Sequence, residues 1–110
     1  MTAQNEAVKK MAQRVIRGYE MIHEKNYLKA KQLLEPIAPF LHQEDRPNIT
    51  FLAYLAIGQI GSKDMDGFLQ TYEELQKYKP GTKAETKLKN RVDDMFSEML
   101  QSLADDGVGD

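Results

Sequence analysis

Cysteine is absent from the 110 residues, which removes disulfide scaffolds, thiolate nucleophiles and Cys-ligated zinc from the chemistry open to the chain. Tryptophan is missing as well, and four prolines and seven glycines are too few for a fibrous or low-complexity polypeptide. No stretch approaches the ~18 uncharged apolar residues that a membrane span needs. The opening MTAQNEAVKK has no apolar run behind its charges, so neither a leader nor an anchor is expected. With no cysteine to oxidise, the expected location is cytoplasmic. An excess of positive charge is lacking too: a net charge of −2 and a pI near 5.7 argue against nucleic acid as a partner, because phosphate affinity rests on clustered Lys and Arg. Alternating β-branched runs, the mark of strands, do not occur. What is present, 41% apolar and 29% charged residues, suits one domain with a single core.

The apolar residues fall at helical spacing. Val8, Met11, Ala12, Val15, Ile16, Tyr19 and Ile22 outline a first helix. After a break at Lys25-Asn26, where Asn suits an N-cap, Tyr27, Ala30, Leu33, Leu34, Ile37 and Leu41 outline a second, antiparallel to the first. Pro36 and Pro39 predict a kink or an early end to it, since each lacks an N–H and crowds the preceding turn. A polar loop, His42 to Asn48, leads to a third helix that starts near Pro47 and carries Ile49, Leu52, Ala53, Ala56, Ile57 and Ile60. Gly61 to Asp64 turns the chain into a fourth, with Met65, Phe68, Leu69, Tyr72 and Leu75, which stops at Tyr78-Lys79-Pro80-Gly81. Thr82 and Glu85 form a capping box for a fifth, whose face is Leu88, Val92, Met95, Phe96, Met99 and Leu103. The domain is therefore expected over residues 1–104, with 105–110 as a flexible acidic tail.

The two hairpins align on their turns: Tyr27, Ala30, Leu34 and Ile37 fall on Met65, Phe68, Tyr72 and Leu75, and Gly18 falls on Ala56. Such self-similarity marks a helical repeat. On these residues the chain resembles the tetratricopeptide repeat family. Gly18, Tyr27 and Ala30 match family positions in the first unit, and Ala56, Tyr72 and Pro80 match in the second. The usual tryptophan position holds Arg14 and Leu52, Phe68 replaces a small residue, and His42 stands where unit one would end in proline. The resemblance spans about residues 11–80. It implies an all-α fold: a five-helix antiparallel, right-handed superhelix of two helix pairs, with the fifth helix as the solvating cap of the array.

Candidate chemical sites are few. Asp64-Met65-Asp66-Gly67 opens like a calcium loop but has its glycine at position four and Leu75 at position twelve, where the ion needs glycine at six and glutamate at twelve. Glu20 with His23 is half of a bundle-type metal site that has no second half. His42 with Glu44 and Asp45 reads as ordinary loop polarity. Gly58-Gln59-Ile60-Gly61 lacks the basic flanks of a phosphate loop and reads as helix packing and a helix end. Lys79, Lys83, Lys87, Lys89 and Arg91, followed by Asp93, Asp94, Glu98, Asp105, Asp106 and Asp110, read as a solvated helix face with an acidic tail, the alternative being a docking patch for an acidic partner. No catalytic, cofactor-binding or metal-binding residue is nominated, and an enzyme is not expected.

In the family that the chain resembles, the first helices of successive pairs line a concave, partner-binding surface. Carried over, this nominates Val15, Tyr19, Ile22 and His23 with Ala53, Ile57 and Ile60 as an apolar groove. The Lys and Asn clamp that some members use for a carboxyl terminus is lacking at Val15, Tyr19 and Tyr54. The expected function is that of an interaction module, a small adaptor or chaperone-like protein holding a segment of another protein. The alternative is a structural subunit or homodimer assembled through the same face.

Overall fold

The computed structural model describes residues 3–108 and, within them, the side chains of 5–105; it is all-helical, with no strand among the described residues. Helix α1 (Ala3–His23) ends in a turn in which Lys25 N–H donates to the Ile22 carbonyl at 3.0 Å and Asn26 N–H to that of Met21 at 2.8 Å. This is the Schellman closure, and it places Lys25 in the left-handed region at φ 63°. Asn26 then caps α2 (Tyr27–Leu34), its Oδ1 accepting the Lys29 N–H at 3.4 Å. As the prolines predict, the α-helix stops early. Glu35–Ile37 tightens into a 3₁₀ turn around Pro36, and α3 (Ala38–Leu41) is a single turn with Pro39 at its start.

Helix α4 (Ile49–Gly61) starts two residues later than Pro47 at a first helical position suggests. Asn48 is the cap, its Oδ1 accepting the Phe51 N–H at 3.0 Å, so the proline stands outside the helix. The turn into α5 (Met65–Leu75) repeats that into α2: Lys63 sits at φ 67°, its N–H donates to the Ile60 carbonyl at 3.1 Å, and Asp64 N–H donates to that of Gln59 at 2.8 Å. Asp64 Oδ1 caps Gly67 N–H at 3.1 Å. Helix α6 (Lys83–Val108) is opened by Thr82, whose Oγ1 accepts the Glu85 N–H at 3.1 Å. The Glu85 carboxylate reaches back one residue further than the capping box requires, to the Gly81 N–H at 2.7 Å.

The acidic tail expected over 105–110 is corrected in part. Residues 105–108 continue α6, because nothing between Leu88 and Val108 removes an N–H and the one glycine, Gly107, costs only about 1 kcal/mol in a helix. Residues 109–110 lie outside the described residues.

The core is organised around α4, which packs against α1, α2, α5 and α6. Between Ile49 and Ile60 every residue is buried except Thr50 and Tyr54, the signature of a helix that is apolar on all sides. Close approach explains the small residues. A Cβ on Gly18 of α1 would lie 2.5 Å from Leu34 Cδ2, so that leucine occupies the space a side chain would need. The backbone of α2 beside Ala30 is met by Gly58 of α4, whose Cβ would stand 3.3 Å from the Lys31 nitrogen. The close approach is thus shared among three helices, α1, α2 and α4, and Gly58 packs against a neighbouring helix as its sequence reading supposes. On the far side α6 buries Val92 completely and lays Phe96 against Phe68 and Tyr72 of α5, with ring centroids 5.1 and 5.0 Å apart. The Tyr72 hydroxyl donates to Asp93 of α6 at 2.8 Å.

Candidate interaction surface

The seven nominated groove residues separate in the structure. Ile22, Ala53 and Ile57 are wholly buried and Ile60 is 6% exposed, all within the main core cluster. Ile60 borders a cavity between α4, α5 and α6, but Ala53 and Ile57 are covered by the helices packed around α4, and Ile22 of α1 is turned into the same core. Val15 is half-buried against the second cluster, formed by Leu34, Ile37, Phe51 and Leu55. Only Tyr19, half-buried, and His23, exposed, reach the surface as aromatic groups.

These two meet a third residue that was not nominated. Tyr54, half-buried on α4, stacks on Tyr19 with centroids 4.0 Å apart and planes at 18°. His23 stands edge-on to Tyr54 at 5.7 Å, and its Nε2 lies 3.0 Å from the Tyr54 hydroxyl. A signal for Tyr54 lies in the spacing: Thr50 and Tyr54 fall four residues apart in a predominantly apolar helix, on the strip that is only partly buried between Ile49 and Ile60. Burial, and secondarily the neighbouring Tyr54 hydroxyl, push the Tyr19 phenol up to about 12. It therefore stays a neutral hydrogen-bonding group at physiological pH. Along α1 the same face continues through Ile16, 57% exposed, to Val8, 66% exposed. Amphipathic aromatic rings beside exposed aliphatics make the kind of surface on which binding energy concentrates.

A second polar cluster is structural. His42 Nδ1 accepts the Asn48 N–H at 3.1 Å, which leaves its proton on Nε2, 3.0 Å from Glu74 Oε1. Tyr78 donates to that same oxygen at 2.9 Å, and Lys77 lies 2.9 Å from the other. Both ring nitrogens of His42 are thus engaged away from Glu44 and Asp45. Among the described residues, no group of three or more His, Asp or Glu is placed to hold a metal ion. Hydrogen bonds from His42, then Lys77 and Tyr78, hold the Glu74 carboxyl down at about 2, against an ordinary 4.5. The ionised form is therefore favoured in the folded state, and its contribution to stability is complete above about pH 4.5 and lost as pH falls from there toward 2. Because the carboxylate is partly exposed, we expect that contribution to be only about 1 kcal/mol. Denaturant titrations at pH 7 and pH 2 should show Glu74→Gln less stable than the parent at the higher pH, with the gap largely closed at the lower; an unchanged gap would refute the assignment.

Among the described residues no helix is long and apolar enough to cross a membrane. No family model, no curated protein and no solved structure matches the chain.

Proposed function

We propose that this chain is a protein–protein interaction module, adaptor or chaperone-like, that binds a segment of another protein through the Tyr19–His23–Tyr54 surface. The observation that carries the proposal is the stacked pair itself: two tyrosines and a histidine held together at the surface by two different helices, beside exposed Ile16 and Val8. The tetratricopeptide-like, right-handed superhelical arrangement is part of the same reading. It is supported by the two turns 38 residues apart that share a left-handed lysine, an Asn or Asp cap and the same pair of hydrogen bonds (63 − 25 = 38). In that arrangement α1 and α4 are the first helices of two units, and the aromatic cluster lies where they meet. The reading assigns no catalysis and no cofactor, and it places the module in the cytoplasm. Assembly through the nominated apolar groove loses its basis, because four of the seven residues are interior.

The test is capture by tagged protein beside Ile16→Glu/His23→Glu, two exposed positions that flank the tyrosines and whose replacement should leave the melting curve nearly unchanged. The expected result is a partner retained by the parent and lost by the folded variant. An identical set of captured proteins from both would reject the surface.

A further inference from the structure

Two flanks of the molecule remain unpartnered, and their chemistry is complementary. Beside α1 and the α2–3₁₀ segment lies a cavity of about 470 Å³ whose floor is Met11, Leu33 and Ile37 and whose rim carries Lys10 and Arg17. The third basic residue there, Arg14, is committed to the chain itself, with Nε donating to the Leu33 carbonyl at 2.6 Å and Nη2 to that of Gln32 at 3.0 Å. Lys10 and Arg17 make no ion pair among the described residues. On α6 the spacing of Asp94, Glu98 and Asp105 by four and seven residues aligns them in one acidic stripe, and all three are exposed and likewise without an ion pair among the described residues. That stripe borders an apolar strip of Met95, Met99 and Leu103, the last 60% exposed, facing a second cavity of about 580 Å³.

Length adds the reach. Helix α6, with 26 residues, is about 39 Å long, and α4, on which it packs, is about 20 Å. From Leu100 to Asp105 every side chain of α6 is exposed. An apolar strip edged with acid, on a helix that outruns its support, matches an apolar floor edged with base.

We propose that copies of this chain associate head to tail, the Met99–Leu103 strip of α6 from one copy seated on Met11, Leu33 and Ile37 of the next, with Glu98 and Asp105 facing Lys10 and Arg17. The occupant of the basic groove is a second copy of the chain. The contact is heterologous, because the two surfaces belong to the first and the last elements of the fold, so each copy retains one free end of each kind. It uses none of the aromatic residues of the partner-binding surface and does not rest on that reading.

Sedimentation equilibrium of the full chain at low ionic strength should give an average mass that rises with concentration, and added salt at about 0.5 M should weaken it at least tenfold. Lys10→Glu/Arg17→Glu and Glu98→Lys/Asp105→Lys replace exposed residues only, and each should be folded by circular dichroism and monomeric. Mixed in equal amounts, the two variants should associate again, since each then offers the other a surface of opposite charge. A parent that stays monomeric up to about 1 mM overturns the proposal, as would association that persists in both charge-reversed variants or variants that fail to recombine. Dissociation by Ile16→Glu/His23→Glu, with no effect of the charge reversals, would place the contact on the aromatic face and overturn it equally.

Discussion

Ile57→Glu should abolish folding at 25 °C. The side chain is fully buried in the main core cluster, and α4 is packed on by α1, α2, α5 and α6. Removing the aliphatic group forfeits about 2–5 kcal/mol of packing, and the carboxyl brings a desolvation cost of several kcal/mol more, whether it ionises or stays protonated without a partner. The sum is comparable with the whole stability of a small domain, about 5–15 kcal/mol. Circular dichroism should show loss of the cooperative melt. A variant that keeps native helicity and melts within a few degrees of the parent would mean that Ile57 faces open space, and the groove reading would return.

Phe68→Ala is the second large effect. The ring is fully buried on α5, 5.3 Å from Tyr72 and 5.1 Å from Phe96, and it is the surface on which α6 rests its only aromatic residue. Truncation should cost about 3–5 kcal/mol, read as a lowered denaturant midpoint at unchanged slope. Amide exchange should also quicken across α6 ahead of α1 and α2, because Phe96 of α6 loses one of its two aromatic neighbours on α5. Uniform acceleration through all helices would show instead that α6 has no separate dependence on this ring.

Much of this architecture was legible because it is written in local chemistry. Asn26, Asp64 and Thr82 cap helices since a short polar side chain can reach a free backbone N–H from that position alone. Pro36 and Pro39 end α2 for equally local reasons. The proposed interaction surface was legible only in part, because it depends on which side of a helix is covered. For α1, polar and apolar residues alternate, and Tyr19 and His23 were found. For α4 they do not: Ala53, Ile57 and Ile60 are as apolar as any exposed groove would be, and only the docking of the other helices around α4 makes them interior. Periodicity within one helix carries no information about the position of another 40 residues away. Tyr54 lies outside the nominated set because its ring finds Tyr19 only across two helices, a pairing that spacing within α4 does not encode.

The central place of α4 also bears on how the chain comes into being. Its flanks are completed by Ile22 and Ala30 from earlier in the chain and by Phe68, Leu75 and Val92 from later, so neither hairpin owns a finished interior. A ribosome that has released the first 75 residues has made all of α4 and α5 but none of the helix that covers them, and a broad aliphatic face waits in water until α6 follows. During that interval the nascent chain is at its most adhesive. The strong cap at Thr82 and the turn residues Pro80 and Gly81, which start α6 as soon as its first turn emerges, shorten the wait.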